Sequence, residues 1–224
     1  MRTEFHDNLD HLAGQLQVMC RRDRDAVAVA TDALLAADVG LAEQALDLCG
    51  DLDVLRDRIE TTAVSLLALQ APVAGELRQV VTAIQLAGHL TRMGVLTGHI
   101  ADIARRRHPL PAIPEPVHPI VAGMGAAAVT IADGAIEVLG SGDPHEAAAL
   151  DDQDDVMDGL QHDLLTAVLA PEWTEGISAA VDLTLISRYY ERFADNAVEV
   201  GRRTIFMATG QTPETWRSEK ADRQ

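Results

Sequence analysis

Positive charge is scarce in this 224-residue chain. Lys and Arg together number 18 against 35 Asp and Glu, a formal net charge of −17. That excess of acid excludes the electrostatic footprint from which nucleic-acid binders draw most of their affinity. It also sets the chain against an anionic membrane surface. Aromatic residues are scarcer still, at 3%. The apolar 47% is mainly Ala, Leu and Val, a composition that favours closely packed helices over a sheet. Cys20 and Cys49 are the only cysteines, and they form no CxxC pair. A disulfide scaffold is excluded and a reducing compartment is expected. Residues 1–19 carry Glu4, Asp7 and Asp10 and no apolar core of a signal peptide. The longest uncharged apolar run, near Ile120 to Ala132, falls short of the roughly 20 residues that span a bilayer. A cytoplasmic protein without membrane insertion is expected.

Prolines are concentrated where they are most informative. Five of nine fall in His108–Pro119, HPLPAIPEPVHP. Each fixes φ and removes a backbone donor, so this segment predicts a semi-rigid linker through the middle of the chain. On either side the apolar spacing predicts three helices. They are Glu4–Ala37, Leu41–Gln70 and Ala74–Arg107 before the linker, and Ile120–Leu139, His145–Leu169 and Glu175–Met207 after it. Period-2 alternation is missing throughout, so no sheet is expected. The two halves align at an offset of about 100 residues, with Arg92 on Arg192 and with Asp53 and Asp57 on Asp154 and Asp158. The fold expected is all-α: six helices in two pseudo-symmetric three-helix bundles, residues 1–107 and 120–208. Residues 108–119 form the linker, and 209–224 a polar, disordered tail.

Two acid stripes carry the chemistry. Asp151, Asp154, Asp155 and Asp158 recur at i, i+3, i+4 and i+7, on one helix face, with no Lys or Arg between Pro144 and Trp173 to offset them. Glu191, Asp195 and Glu199 form a second stripe, interleaved with Arg188 and Arg192. If these two helices are antiparallel neighbours, Asp154 and Asp158 face Glu191 and Asp195. Such a group is either a solvated face or an oxygen-rich site for a metal ion such as Mg, Ca, Mn, Fe or Zn. His162 follows Asp158 by four residues and reads as a surface or half-buried histidine, with a further metal ligand as the alternative. His108 and His118 read as part of the linker.

The segment Tyr189-Tyr190-Glu191-Arg192-Phe193-Ala194-Asp195-Asn196-Ala197 resembles the ERxxDxA signature of the PhoU family of phosphate-signalling regulators. Leu69-Gln70-Ala71-Pro72-Val73-Ala74-Gly75-Glu76-Leu77-Arg78 is similar to that family's entry into its third helix. The likeness covers residues 4–208, and the Arg-rich, Lys-poor usage resembles actinobacterial members. It implies two three-helix bundles side by side, with metal-binding E/DxxxD motifs. It also implies a non-enzymatic negative regulator of the phosphate-starvation response, an adaptor between the phosphate ABC transporter ATPase and the sensor histidine kinase. Such a protein would lie in the cytoplasm, reach the inner membrane only through protein partners, and form a homodimer.

Carried onto this sequence, the metal motif falls on Asp154, Asp158, Glu191 and Asp195, with Asp151, Asp155 and Glu199 as weaker candidates. The corresponding first-half site keeps Asp53 and Asp57 but has Thr91 and Val95 where acids are expected. It is therefore expected to be degenerate, with its two acids paired to Arg56 and Arg58. The competing classes are a carboxylate metalloenzyme on a helix bundle and a metal-free structural oligomer. Against the enzyme, the chain has no Glu-x-x-His pair, no glycine-rich phosphate loop and no nucleophile-plus-base motif. Six of the seven aromatics lie in the second half, available to its core or to a contact surface, with Trp216 in the tail as a possible anchor.

Overall fold

Asp38 separates the first two helices by capping the second. Its side chain accepts from the amides of Gly40 and Leu41, at 2.7 and 3.2 Å, satisfying donors that the first turn leaves open. The computed structural model describes residues 2–221. Before the proline-rich segment it has α1 (Arg2–Ala36), α2 (Val39–Gln70) and α3 (Ala74–Arg107). After it come α4 (His118–Ser141), α5 (Pro144–Ala148), α6 (Leu150–Leu169), α7 (Gly176–Thr209) and α8 (Pro213–Ala221). Among the described residues there is no strand.

The helices α1, α2 and α3 pack on one another, and so do α4, α6 and α7. The two sets meet where α1 lies on α4 and α3 on α7, and one buried apolar cluster runs through both. The α3–α7 seam is antiparallel. His89 Nδ1 lies 3.1 Å from Asn196 Oδ1, the His99 ring rests 5.1 Å from that of Tyr189, and Arg107 Nε donates to Asp182 at 2.5 Å. On the α1–α4 side Arg24 reaches Asp133 at 3.1 Å. Where α7 comes through to α1, the buried hydroxyls of Thr31 and Tyr190 share a 2.7 Å hydrogen bond.

Three sequence expectations change. First, the helix expected over His145–Leu169 is two helices. A methyl on Gly201 would stand 2.5 Å from the Ala147 carbonyl oxygen, so α5 is pressed directly against α7. Leaving that contact, the chain breaks step at Ala149, whose amide bonds Glu146 rather than the residue four back. Second, the expected disordered tail contains α8. Thr212 caps it through Thr215 N at 3.3 Å, Pro213 stands at its start, and Trp216 packs on the core with its ring 5.1 Å from His145.

Third, the proline segment folds back instead of extending. Ala112, Ile113 and Val117 are buried, Glu115–Val117 form a 3-10 turn, and α4 begins at His118. The two linker histidines hold the end of α1, His108 on the Ala37 carbonyl at 3.1 Å and His118 on that of Leu35 at 3.2 Å. Glu115–Ser141 is by length and composition able to cross a membrane. Its apolarity has another use here: Val121, Met124, Ala128, Ile131 and Ala135 are buried against neighbouring helices.

One buried acid had no signal in the sequence. Asp23 of α1 is fully enclosed and neither carboxylate oxygen has a hydrogen-bond partner. It lies against Gly94, where a Cβ would come within 3.2 Å of Oδ1 and collide with Leu52. Burial pushes its pKa well above the ordinary value, and burial together with this carboxyl raises the Cys49 thiol to about 12. Because the folded pKa is the higher one, stability is complete below the unfolded value of about 4 and is lost as pH rises towards the folded value. Replacing Asp23 by Asn removes the titration. The melting temperatures of D23N and wild type should lie closest near pH 4 and separate by about 4 °C or more in favour of D23N by pH 8. Parallel pH–stability curves would show that Asp23 ionises normally.

Candidate metal centre

The register of α6 against α7 sets the acidic face. Gly201 lies on Ala147, Arg202 reaches Asp151 at 3.3 Å, and one turn further along α6 Asp154 feels the charges of Asp195 and Glu191, so α6 and α7 run antiparallel. Following that register, Asp154 and Asp158 come opposite Asp195 and Glu191. The titration of Asp154 reports the grouping. Burial first, and then the charges of Asp158, Asp195 and Glu191, raise its pKa to about 6, with Arg202 opposing. Glu191 is raised as well, by burial and by Asp195, while Arg188 and Arg192 pull it back and Asp158 adds to the rise.

The stripes read from the sequence divide into two groups. Asp154, Asp158, Glu191 and Asp195 form one. Asp151 and Glu199 belong to an arginine cluster nearer the α7 C-terminus. Asp151 pairs with Arg202 and with Arg217 of α8, and Glu199 pairs with Arg202 at 3.0 Å and Arg203 at 3.7 Å. Asp155 is exposed, and its charge is not among those acting on Asp154. His162 is also exposed. Arg217 could have been found from the sequence only if the Thr212-Pro213-Glu214 helix start had been taken as a signal.

The donor set suits a hard or borderline cation, but it is not drawn into a cage. Among the described residues no three His, Cys, Asp or Glu side chains are grouped so as to hold an ion. Glu191 is turned to Arg188, whose Nη1 donates to both oxygens at 2.7 Å, and Asp195 to Arg192 at 3.4 Å. Those are partly exposed pairs of a kind worth about 0.2–1 kcal/mol, within reach of what an ion binding several carboxylates would displace. In donor chemistry and facing position the four acids fit a metal, with Glu191 and Asp195 turning away from their arginines.

The first half contrasts. Asp53 and Asp57 are exposed on α2, and Arg56 bonds Glu60 at 2.7 Å in place of the expected pairing, with Asp57 and Asp53 adding only longer-range attraction. Thr91 bonds its own helix at Ala87 O, 2.8 Å, and Val95 is exposed.

The structure thus defines a duplicated all-helical protein with an acid cluster at one of two related positions. A family model described as "PhoU domain" matches residues 16–104 and 121–204. The phosphate-specific transport system accessory protein PhoU homolog 2 of Mycobacterium tuberculosis is 50% identical over 213 residues, 95% of this chain and 100% of that protein. PhoU homolog 1 of Mycobacterium leprae is 48% identical, covering 96% of each chain. The solved structure of the phosphate transport system regulatory protein PhoU from Streptococcus pneumoniae superimposes with a TM-score of 0.83 at 22% identity, over 93% of this chain and 98% of that one. The chain belongs to the PhoU family.

Asp154 makes the cluster's repulsion measurable. Its raised pKa means that stability present below about pH 4 is lost as pH rises through about 6. Allowing for solvent screening of this half-exposed group, the loss is on the order of 1 kcal/mol. In metal-free protein, Glu191→Gln/Asp195→Asn should bring the Asp154 carboxyl titration, followed by NMR, down towards the ordinary range. An Asp154 midpoint that does not move would mean that burial and Asp158, without the α7 acids, hold it up.

Proposed function

We propose that this chain is a negative regulator of the phosphate-starvation response. In this reading it is a non-enzymatic cytoplasmic adaptor, a homodimer of two three-helix bundles per chain. It couples the phosphate ABC transporter ATPase to the sensor histidine kinase, and approaches the membrane through those proteins. One observation carries the reading: identity of about half, along nearly the whole chain, with proteins named as accessory to the phosphate-specific transport system. The sequence adds no motif for nucleophilic catalysis or nucleotide binding.

A metal ion belongs to this reading at Asp154, Asp158, Glu191 and Asp195. When bound, it would neutralise these carboxylates and brace α6 to α7. The protein's own part is to hold four oxygen donors on facing helices, with Arg188 and Arg192 as alternative partners when the ion is absent. Asp53 and Asp57, without acids opposite, are left out.

Immobilised full-length protein should capture the kinase's cytoplasmic region or the transporter ATPase from a purified mixture. Capture of neither defeats the adaptor reading. For the metal, protein purified without chelator should carry iron, zinc or manganese by plasma mass spectrometry, and added divalent ion should raise the wild-type melting temperature by several degrees. Glu191→Ala/Asp195→Ala should lose both responses. Equal responses in the two proteins would place the ion elsewhere.

A further inference from the structure

The turn between α6 and α7 exposes apolar side chains that the described structure leaves uncovered. Leu169 and Ile177 are 81% and 84% exposed, and Val181 and Leu185 are exposed as well. Their arrangement is ordered. Ile177, Val181 and Leu185 recur every four residues and form a ridge along the start of α7. Gly176, Ala180 and Thr184 run beside it at the same spacing and form a low floor. Val168, Leu169 and Trp173 make the opposite wall, and the Trp173 indole is fixed by donating to the Gly176 carbonyl at 3.1 Å. The cleft so formed measures about 510 Å³. A floor whose largest side chain is Thr lets another backbone approach closely, and ridge beside groove is the surface onto which a helix packs.

The first half has the ridge without the floor. At the offset of 100 residues, Leu77 and Val81 correspond to Ile177 and Val181, and both are exposed. Glu76, Val80 and Ile84 stand where Gly176, Ala180 and Thr184 do, so larger side chains fill the channel.

Charge narrows the occupant. No Lys or Arg occurs between Pro144 and Arg188, and Glu172 and Glu175 are exposed at the rim. Arg107, which reaches α7 from α3, is engaged by Asp182 and Ser178. Such a rim repels an anionic lipid surface and favours a basic partner segment over a second copy of a chain with net charge −17. We infer that this groove docks an amphipathic helix of a partner protein. Its apolar side chains, at i, i+3 or i+4 and i+7, enter between the Ile177 ridge and Trp173, and its Lys or Arg residues face Glu172 and Glu175. This deepens the adaptor reading by assigning its docking surface, and rests on that reading for the existence of a partner.

The test uses Trp173 as reporter in full-length Trp216→Phe protein. The probe is a Leu/Lys peptide of about five helical turns. Its addition should change Trp173 emission saturably, with affinity falling as salt rises from about 50 to 300 mM. Ile177→Ser/Val181→Ser, which alters only exposed side chains, should weaken binding about tenfold or more. A scrambled peptide or a Leu/Glu peptide binding equally well would overturn the proposal. So would an unchanged affinity in the Ser/Ser variant, or binding of zwitterionic vesicles that depends on these residues. Capture of the kinase or ATPase undiminished in the Ser/Ser variant would overturn the groove's role and leave the adaptor reading standing. Failure of wild type to capture either, with the peptide still bound through Ile177, would sink the adaptor reading and leave the groove as a helix-docking surface.

Discussion

The acidic face depends on how α6 lies against α7, and that register is fixed where Gly201 meets the Ala147 carbonyl. There is room for no side chain at that point: even a Cβ would fall 2.5 Å from the oxygen and 3.0 Å from Leu150. Sliding α6 along α7 by a single turn would drive a larger residue of α7 into α5 and carry Asp154 about 5 Å from its present partners. The same contact breaks the helix at Ala149 and so sets the direction in which α6 departs. The opposition of Asp154 and Asp158 to Asp195 and Glu191, and the reach of Arg202 to Asp151, follow from one close backbone approach.

Much of this was legible in the sequence because helices write their faces at fixed spacing. Apolar steps of three and four residues gave the six long helices. Thr91 and Val95 marked the half-site whose acids are missing. The four-acid stripe from Asp151 to Asp158 misled in one respect. Positions i, i+3, i+4 and i+7 span a broad arc, and only one side of it turns inward. Asp151 and Asp154 are half-buried while Asp155 and Asp158 are exposed, and of these two only Asp158 acts on the acids of the group. Spacing also cannot say which cation a carboxylate meets. Arg217 is far from Asp151 in sequence and arrives through α8, where composition suggested disorder. Asp23 was invisible because an acid at an apolar position of an otherwise ordinary amphipathic helix reads as one more surface charge.

The duplication has kept the scaffold and let the surfaces diverge. Both halves pack three long helices, and both expose an apolar ridge at the start of the last one. The second half carries Glu191 and Asp195 where the first has Thr91 and Val95, and Gly176, Ala180 and Thr184 where the first has Glu76, Val80 and Ile84. Charge moves the same way. Arg56 and Arg58 sit among the first-half acids, whereas α6 contains no basic side chain but His162. The first half buries Asp23 without a partner, at a cost to its own stability that rises with pH, whereas the buried Asp182 of α7 is met by Arg107.

These second-half features lie in sequence along α7: the groove from Gly176 to Leu185, the carboxylates at Glu191 and Asp195, then Arg202, which ties down α6 at Asp151, where Arg217 of α8 also lands. Leu185 and Glu191 are separated by roughly 9 Å of helix rise, about one Debye length at physiological salt. Charge at the carboxylates is therefore felt at the near end of the groove, though not strongly at its far end by Trp173. The geometry separates two effects on anything basic that occupies the groove. Affinity from apolar contact is set locally by Ile177 and Val181. The electrostatic part also varies with how far the carboxylate group is neutralised, by a proton on Asp154 near pH 6 or by a bound cation.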